Sequence, residues 1–292
     1  MIFRLKLFFY MIVGSLVSLF NVWRIKSKLK LEHALFSLNI KDNSELIILG
    51  TSSSVNEISP NTWSKIQKST TVGINYFLFN DFVPDIIQLE IKQGADQHYF
   101  ENLLKILSYR ESDFKNSTLL IKSNFTRTNQ ELIDKIEFLK KIPEGLKRNL
   151  RFCIDFPVPA LTSHEYRLAI RAFNFLGLFK SKNLIFTPHL RASIGLTAVL
   201  ANKYNFKEII FVGIDLNHRK TFYDKKFLHK EYGIFFEGLI EEGVHLTNDP
   251  DASEVTIVEV LNFLRKEIKS DMSYSVLSKK SALRKIMPLK QY

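Results

Sequence analysis

The chain has 292 residues, 46% of them hydrophobic, enough for one sizeable α/β domain or a domain with an appendage. Its single cysteine, Cys153, excludes a disulfide within the chain and points to a reducing compartment, and no Cys/His cluster has zinc spacing. Lys and Arg (41) outnumber Asp and Glu (30), and the net charge of +11 favours an anionic partner: nucleotide, membrane surface or nucleic acid.

Residues 1–30 are apolar from Leu7 to Trp23 and basic on both flanks. That run is at the lower limit for spanning a bilayer, and no small-residue cleavage site follows it. Gly14, Ser18 and Asn21 share one helical face, so an interfacial helix is the other reading, and a buried soluble helix the plainest. If the segment spans, Arg24, Lys26, Lys28 and Lys30 outnumber Arg4 and Lys6, which puts the remainder on the cytoplasmic side of the inner membrane.

The body, 31–269, alternates strand and helix patterns. Strands are expected at 45–50, 70–74, 85–90, 118–122, 150–154 and 208–212. Helices are expected at 31–38, 96–109, 129–141, 163–178, 195–204 and 254–268, the last with Ser253 as N-cap. This is an α/β pattern: a Rossmann-like, open, mostly parallel sheet with helices on both faces, preceded by the N-terminal hydrophobic helix. The tail, 270–292, carries Lys279, Lys280, Arg284, Lys285 and Lys290 against one acid, Asp271. Val276, Leu283 and Met287 can share a helical face, so the tail reads as a basic amphipathic segment for anionic lipid or as a disordered basic tail.

Two strand ends carry candidate chemistry. Leu46-Ile47-Ile48-Leu49-Gly50 runs into Thr51-Ser52-Ser53-Ser54, a small-residue turn suited to cradling a phosphate through backbone N–H groups and hydroxyls. Ile209-Ile210-Phe211-Val212 runs into Gly213-Ile214-Asp215, and ligands of parallel sheets bind beyond such carboxyl ends. Gly50, Asn75 and Gly213 each close an apolar run and are expected to line one cleft. The plainer readings are an ordinary strand-to-helix turn, and helix caps at Asn75 and Ser193.

These stretches together resemble the bacterial sialyltransferases of glycosyltransferase family 42. The resemblance rests on Gly50-Thr51-Ser52-Ser53-Ser54, Glu57-Ile58, Ile74-Asn75-Tyr76-Phe77, the run from Ser193 through Asp215, and Tyr223. It covers about residues 44 to 265, with about 95 to 180 hardly alignable. The family has Asn at Thr51, Gly at Ser52 and Ile194, and a first tyrosine at Asn217. The resemblance implies an inverting, metal-independent transfer of a sialic-acid-like sugar from a CMP-sugar donor to a surface glycan such as lipooligosaccharide or capsule, with no cofactor. It places the nucleotide against Gly50, Thr51, Ser52, Ser53, Asn75, Ser193, Gly213 and Asp215, with Ser193 also available to a sugar carboxylate. Tyr223, aided by Arg219 or Lys220, would stabilise the leaving phosphate.

The family's catalytic His lies in the loop before the last helix, here Val244 to Asp251, where His245 is the only His nearby. An ordinary imidazole pKa suits base work at neutral pH. Asp249 and Asp251 are the competing bases. Asp249-Pro250-Asp251 also matches an Asp-X-Asp metal motif, a short match set aside because the resembled family uses no metal. The rival functions are a transferase for CMP-Kdo or another nucleotide sugar, and a non-catalytic binding protein at the membrane surface. Nucleic-acid binding ranks low because no reading motif appears. A homo-oligomer stays open.

Overall fold

The computed structural model describes residues 2–30, 37–38, 40, 44–91, 97–123, 129–223, 232–234, 243–268 and 271–292. Eight strands form one sheet: β1 (Glu45–Leu49), β2 (Thr70–Ile74), β3 (Ile86–Glu90), β4 (Thr118–Ser123), β5 (Leu150–Pro157), β6 (Thr187–His189), β7 (Glu208–Val212) and β8 (Ser273–Val276). Their order is β6-β5-β4-β3-β2-β1-β7-β8, and every pairing is parallel. Buried apolar runs such as Leu46 to Leu49 and Ile209 to Val212 are what a sheet covered on both faces requires.

The helices are α1 (Ile2–Leu29), α2 (Pro60–Ile66), α3 (Gln97–Tyr109), α4 (Glu111–Phe114), α5 (Asn129–Lys141), α6 (Glu144–Lys147), α7 (Ser163–Phe175), α8 (Ser193–Lys203) and α9 (Ile257–Glu267). Side chains alternate across β1: Leu46 and Ile48 pack with α7, α8 and α9, Ile47 and Leu49 with α2, α3 and α5. The chain is therefore the expected α/β layer structure. Chain order runs outward from β1 to β6 on one side and from β7 to β8 on the other. The sheet thus has a switch point between β1 and β7, where a crevice opens at the carboxyl ends.

Three local features differ from the sequence reading. β6 is only three residues long and largely polar, so no apolar run announced it. Helix α9 starts later than expected: Thr256, not Ser253, is the N-cap, because Glu259 three residues on completes a capping box. The tail is not a separate amphipathic segment. Residues 273–276 are the edge strand β8, Leu283 and Met287 are buried, and Lys290 bridges Glu45 and Glu208 at 2.8 and 2.7 Å. The helix expected over Leu31–Leu38 lies mostly outside the described residues.

Helix α1 packs against β5 and α5. Leu7 joins the core on one face of the sheet, Val22 and Ile25 the core on the other. A Cβ on Gly14 would lie 3.8 Å from Phe156 Cβ, and Ser15 and Ser18 are fully buried.

Candidate functional site

The crevice at the switch point is a cleft of about 590 Å³. Gly50 and Gly213, the residues that follow β1 and β7, form its floor. Both must be glycine. A Cβ on Gly50 would sit 2.4 Å from the Gly213 carbonyl oxygen; Gly213 has φ +64°, and its Cβ would meet Val55 Cγ2 at 2.3 Å. The two strand ends are stitched by Gly50 N–H to Val212 O (2.8 Å) and Ser52 N–H to Gly213 O (2.9 Å). Ser53 N–H donates to Lys220 O (3.1 Å).

Those bonds correct one expectation. The amides of Gly50, Ser52 and Ser53 already have backbone acceptors, so the turn is not an open backbone cradle. Thr51 and Ser52 line the cleft and offer it hydroxyls; Ser53 is not among the lining residues. Asp215 is also withdrawn from the surface. Fully buried, it accepts from Ser54 Oγ at 2.8 Å, donates its N–H to Ser52 Oγ at 3.1 Å, and lies 3.3 Å from His218 Nε2. Its place is to hold the turn and His218.

Asn75, Ser193, Tyr223 and His245 all line the cleft. Asn75 has φ +50° and its Oδ1 accepts from Glu90 N–H at 3.0 Å, which leaves its NH₂ as the end with bonds to give. Ser193 is the first residue of α8, with Ala192 as the N-cap position, and its hydroxyl donates to Glu90 Oε2 at 2.7 Å. Tyr223 is mostly buried, edge-on to Tyr76 at 5.6 Å between ring centres. Three non-glycine residues with positive φ, Asn75, Arg191 and Leu216, border this one cleft, a concentration of backbone strain typical of binding sites.

His245 sits at the cleft mouth and caps its own turn: Nδ1 accepts from Thr247 N–H at 3.3 Å and lies 2.9 Å from Thr247 Oγ1. Its side chain is exposed, but the atoms packed around the ring, then the nearby Arg219 guanidinium, hold its pKa below the ordinary 6.5. The proton of the neutral ring therefore resides on Nε2, and Nδ1 is its one basic position. Asp249 accepts from Asp251 N–H at 3.0 Å, and neither carboxylate lines the cleft. No group of three or more His, Cys, Asp or Glu side chains placed to hold a metal ion occurs among the described residues.

No known family profile matches the chain, and no curated protein matches it. Among solved structures it is similar to a variant of the sialyltransferase CST-II in complex with CMP: TM-score 0.45, 16% identity, 85% of this chain and 86% of that one. It is also similar to the sialyltransferase CstII from Campylobacter jejuni in complex with a substrate analogue, cytidine-5′-monophosphate: TM-score 0.42, 16% identity, 85% of each chain.

The cleft also holds residues that sequence reasoning passed over. Glu90, Tyr99, Arg191 and His218 line it. Arg191 reaches Thr247 O at 3.2 Å and Ser253 Oγ at 2.6 Å, tying the His245 loop to the start of α8. His218 carries a legible signal, three residues after Asp215; Glu90 and Arg191 carry none, because their partners lie far away in sequence.

Proposed function

We propose that this chain is an inverting glycosyltransferase that uses a CMP-sugar donor carrying a sialic-acid-like sugar, with a surface glycan such as a lipooligosaccharide or capsule precursor as acceptor. The observation that carries this reading is convergence. Gly50 to Ser52, Asn75, Ser193, Gly213, Tyr223 and His245 come from separate stretches and border one cleft at the switch point, where nucleotides bind in open α/β sheets. Arg219 and Lys220 give one end of that cleft the cations a leaving phosphate needs.

In this reading the acceptor hydroxyl oxygen bonds to the anomeric carbon from the face opposite the phosphate. The anomeric carbon–oxygen bond to phosphate breaks, and CMP leaves with that electron pair. Tyr223, Arg219 and Lys220 stabilise the departing phosphate, and His245 Nδ1 takes the hydroxyl proton after letting go of the Thr247 amide. The sequence resemblance supports a metal-independent reaction without cofactor.

The protein is further proposed to sit at the cytoplasmic side of the inner membrane, held by α1, whose outward side is apolar. The deciding assay incubates the purified protein with a panel of CMP-sugars, CMP-Kdo included, and reads CMP release. Release with one donor identifies it. CMP binding without release from any donor favours a non-catalytic nucleotide- or glycan-binding protein, a reading with its own support in the occupied Nδ1 of His245.

A further inference from the structure

At the β3 end of the cleft, away from Arg219 and Lys220, stands a carboxylate with an unusual setting. Glu90 closes β3 and lines the cleft, with its side chain 28% exposed. Its Oε2 accepts from Ser193 Oγ at 2.7 Å, and its Oε1 pairs with Lys122 Nζ at 3.0 Å. Lys122, on β4, is almost fully buried; it lies 3.4 Å from His189 Nε2, and His189 Nδ1 is 2.9 Å from Asp155 on β5. This row across four strand ends fixes the carboxylate in place. Burial works to raise the Glu90 pKa, but the Lys122 ammonium and the Ser193 hydroxyl outweigh it and hold the group at about 2.

An ionised carboxylate only accepts hydrogen bonds, at about four lone-pair positions. Ser193 and Lys122 occupy one on each oxygen. The positions left over face a ligand that must bring donors; a second anion there is repelled. The neighbouring wall is aromatic: Tyr76 and Tyr99 border the same cleft with ring centres 4.9 Å apart. Burial, then Tyr76, Glu90 and Tyr223, push the Tyr99 phenol well above its ordinary value, so it stays a neutral donor. A fixed acceptor beside flat apolar faces matches a sugar ring, with hydroxyls on its edge and C–H groups on its face.

The geometry points to Glu90, positioned by Lys122 and Ser193, as a subsite that reads a pair of ring hydroxyls of the bound nucleotide sugar. This inference rests on the nucleotide-sugar reading above and adds a polarity to it. The phosphate lies toward β7, and a hydroxyl-bearing ring attached to it points toward β3. A sugar carboxylate, where the donor has one, is kept off Ser193, whose proton is already given to Glu90.

The hydroxyls belong either to the ribose or to the transferred sugar, and calorimetry separates the two. CMP is compared with 2′-deoxy-CMP and 3′-deoxy-CMP for the ribose, and intact CMP-sialic acid with CMP for the transferred sugar. In the wild-type protein one comparison is expected to show a 10- to 100-fold difference in Kd, the scale of a hydrogen bond to a charged group. In Glu90→Gln that difference should shrink to within about threefold. Because Glu90→Gln strands Lys122, the Glu90→Gln/Lys122→Met pair is measured alongside, and the wild-type comparisons need no variant. Wild-type binding that ignores every hydroxyl, or differences that survive both variants, overturns the subsite. Absence of any CMP binding is a different result: it removes the nucleotide reading itself.

Discussion

At His245 one proton position decides whether the ring can act as the proposed base. The Thr247 amide occupies Nδ1, so base action requires that turn to open locally, as a bound acceptor hydroxyl would make it do by replacing Thr247. His245→Ala is expected to lower turnover about 10²- to 10⁴-fold while leaving CMP affinity nearly unchanged, because the proposed nucleotide contacts lie elsewhere in the cleft. Loss of turnover in Asp249→Asn or Asp251→Asn with an active His245→Ala would move the assignment to that carboxylate. The pH dependence has a definite sign. Partial desolvation of the ring and Arg219 lower the folded pKa below 6.5, so the neutral, base-competent ring persists in mildly acidic solution, and the acid limb of kcat/KM should fall below that value. The unfolded chain takes up this proton first, so the loop's contribution to stability is complete above pH 6.5 and declines as the pH falls toward the folded pKa. A profile whose acid limb lies above 6.5 would exclude His245.

At the scale of elements, the C-terminal segment changes role between sequence and structure. Val276, Leu283 and Met287 share a helical spacing, but Met272, Tyr274 and Val276 also alternate, and the alternation is what folds: β8 pairs with β7. Lys290 then serves the sheet rather than a lipid surface, its ammonium held by Glu45 and Glu208. Lys290→Met should lower stability to urea by about 1–2 kcal/mol and leave membrane fractionation unchanged. Fractionation that shifts to the soluble pool would restore the lipid role. The strands β1 to β5 and β7 were legible because a sheet buried on both faces demands long apolar runs, and each ends in a visible breaker or polar residue. Polar β6 had no such signal. Within the cleft, Gly50, Asn75, Ser193, Gly213, Tyr223 and His245 were legible from motif and resemblance. Glu90 was not, because its meaning comes from Ser193, 103 residues away.

For the whole molecule, the orientation of α1 matters most. Its buried side holds Ser15 and Ser18, while Phe8, Phe9, Phe20 and Trp23 are 57–64% exposed. That is the reverse of a helix on a water-soluble surface and resembles the arrangement in bilayers, where small residues pack inward and large apolar ones face lipid. Phe175 at the end of α7, 91% exposed, borders the same side through a groove shared with Leu7 and Phe8. With Trp63→Phe, Trp23 becomes the sole tryptophan, and brominated phospholipid vesicles are expected to quench it strongly; quenching no greater than in water would sink membrane attachment through this face. The strand order has a consequence for synthesis as well. Strands β1 to β6 can join the sheet one after another as they leave the ribosome, since each lies beside its predecessor. The other edge of β1 has to wait for β7, and Ile48 does not meet Phe211 until 163 more residues have been made. Through that interval Leu46-Ile47-Ile48-Leu49 is an unpaired apolar edge, the kind of strand that recruits neighbouring chains. Nascent chains halted before residue 208 should therefore need chaperone cover that the finished protein does not.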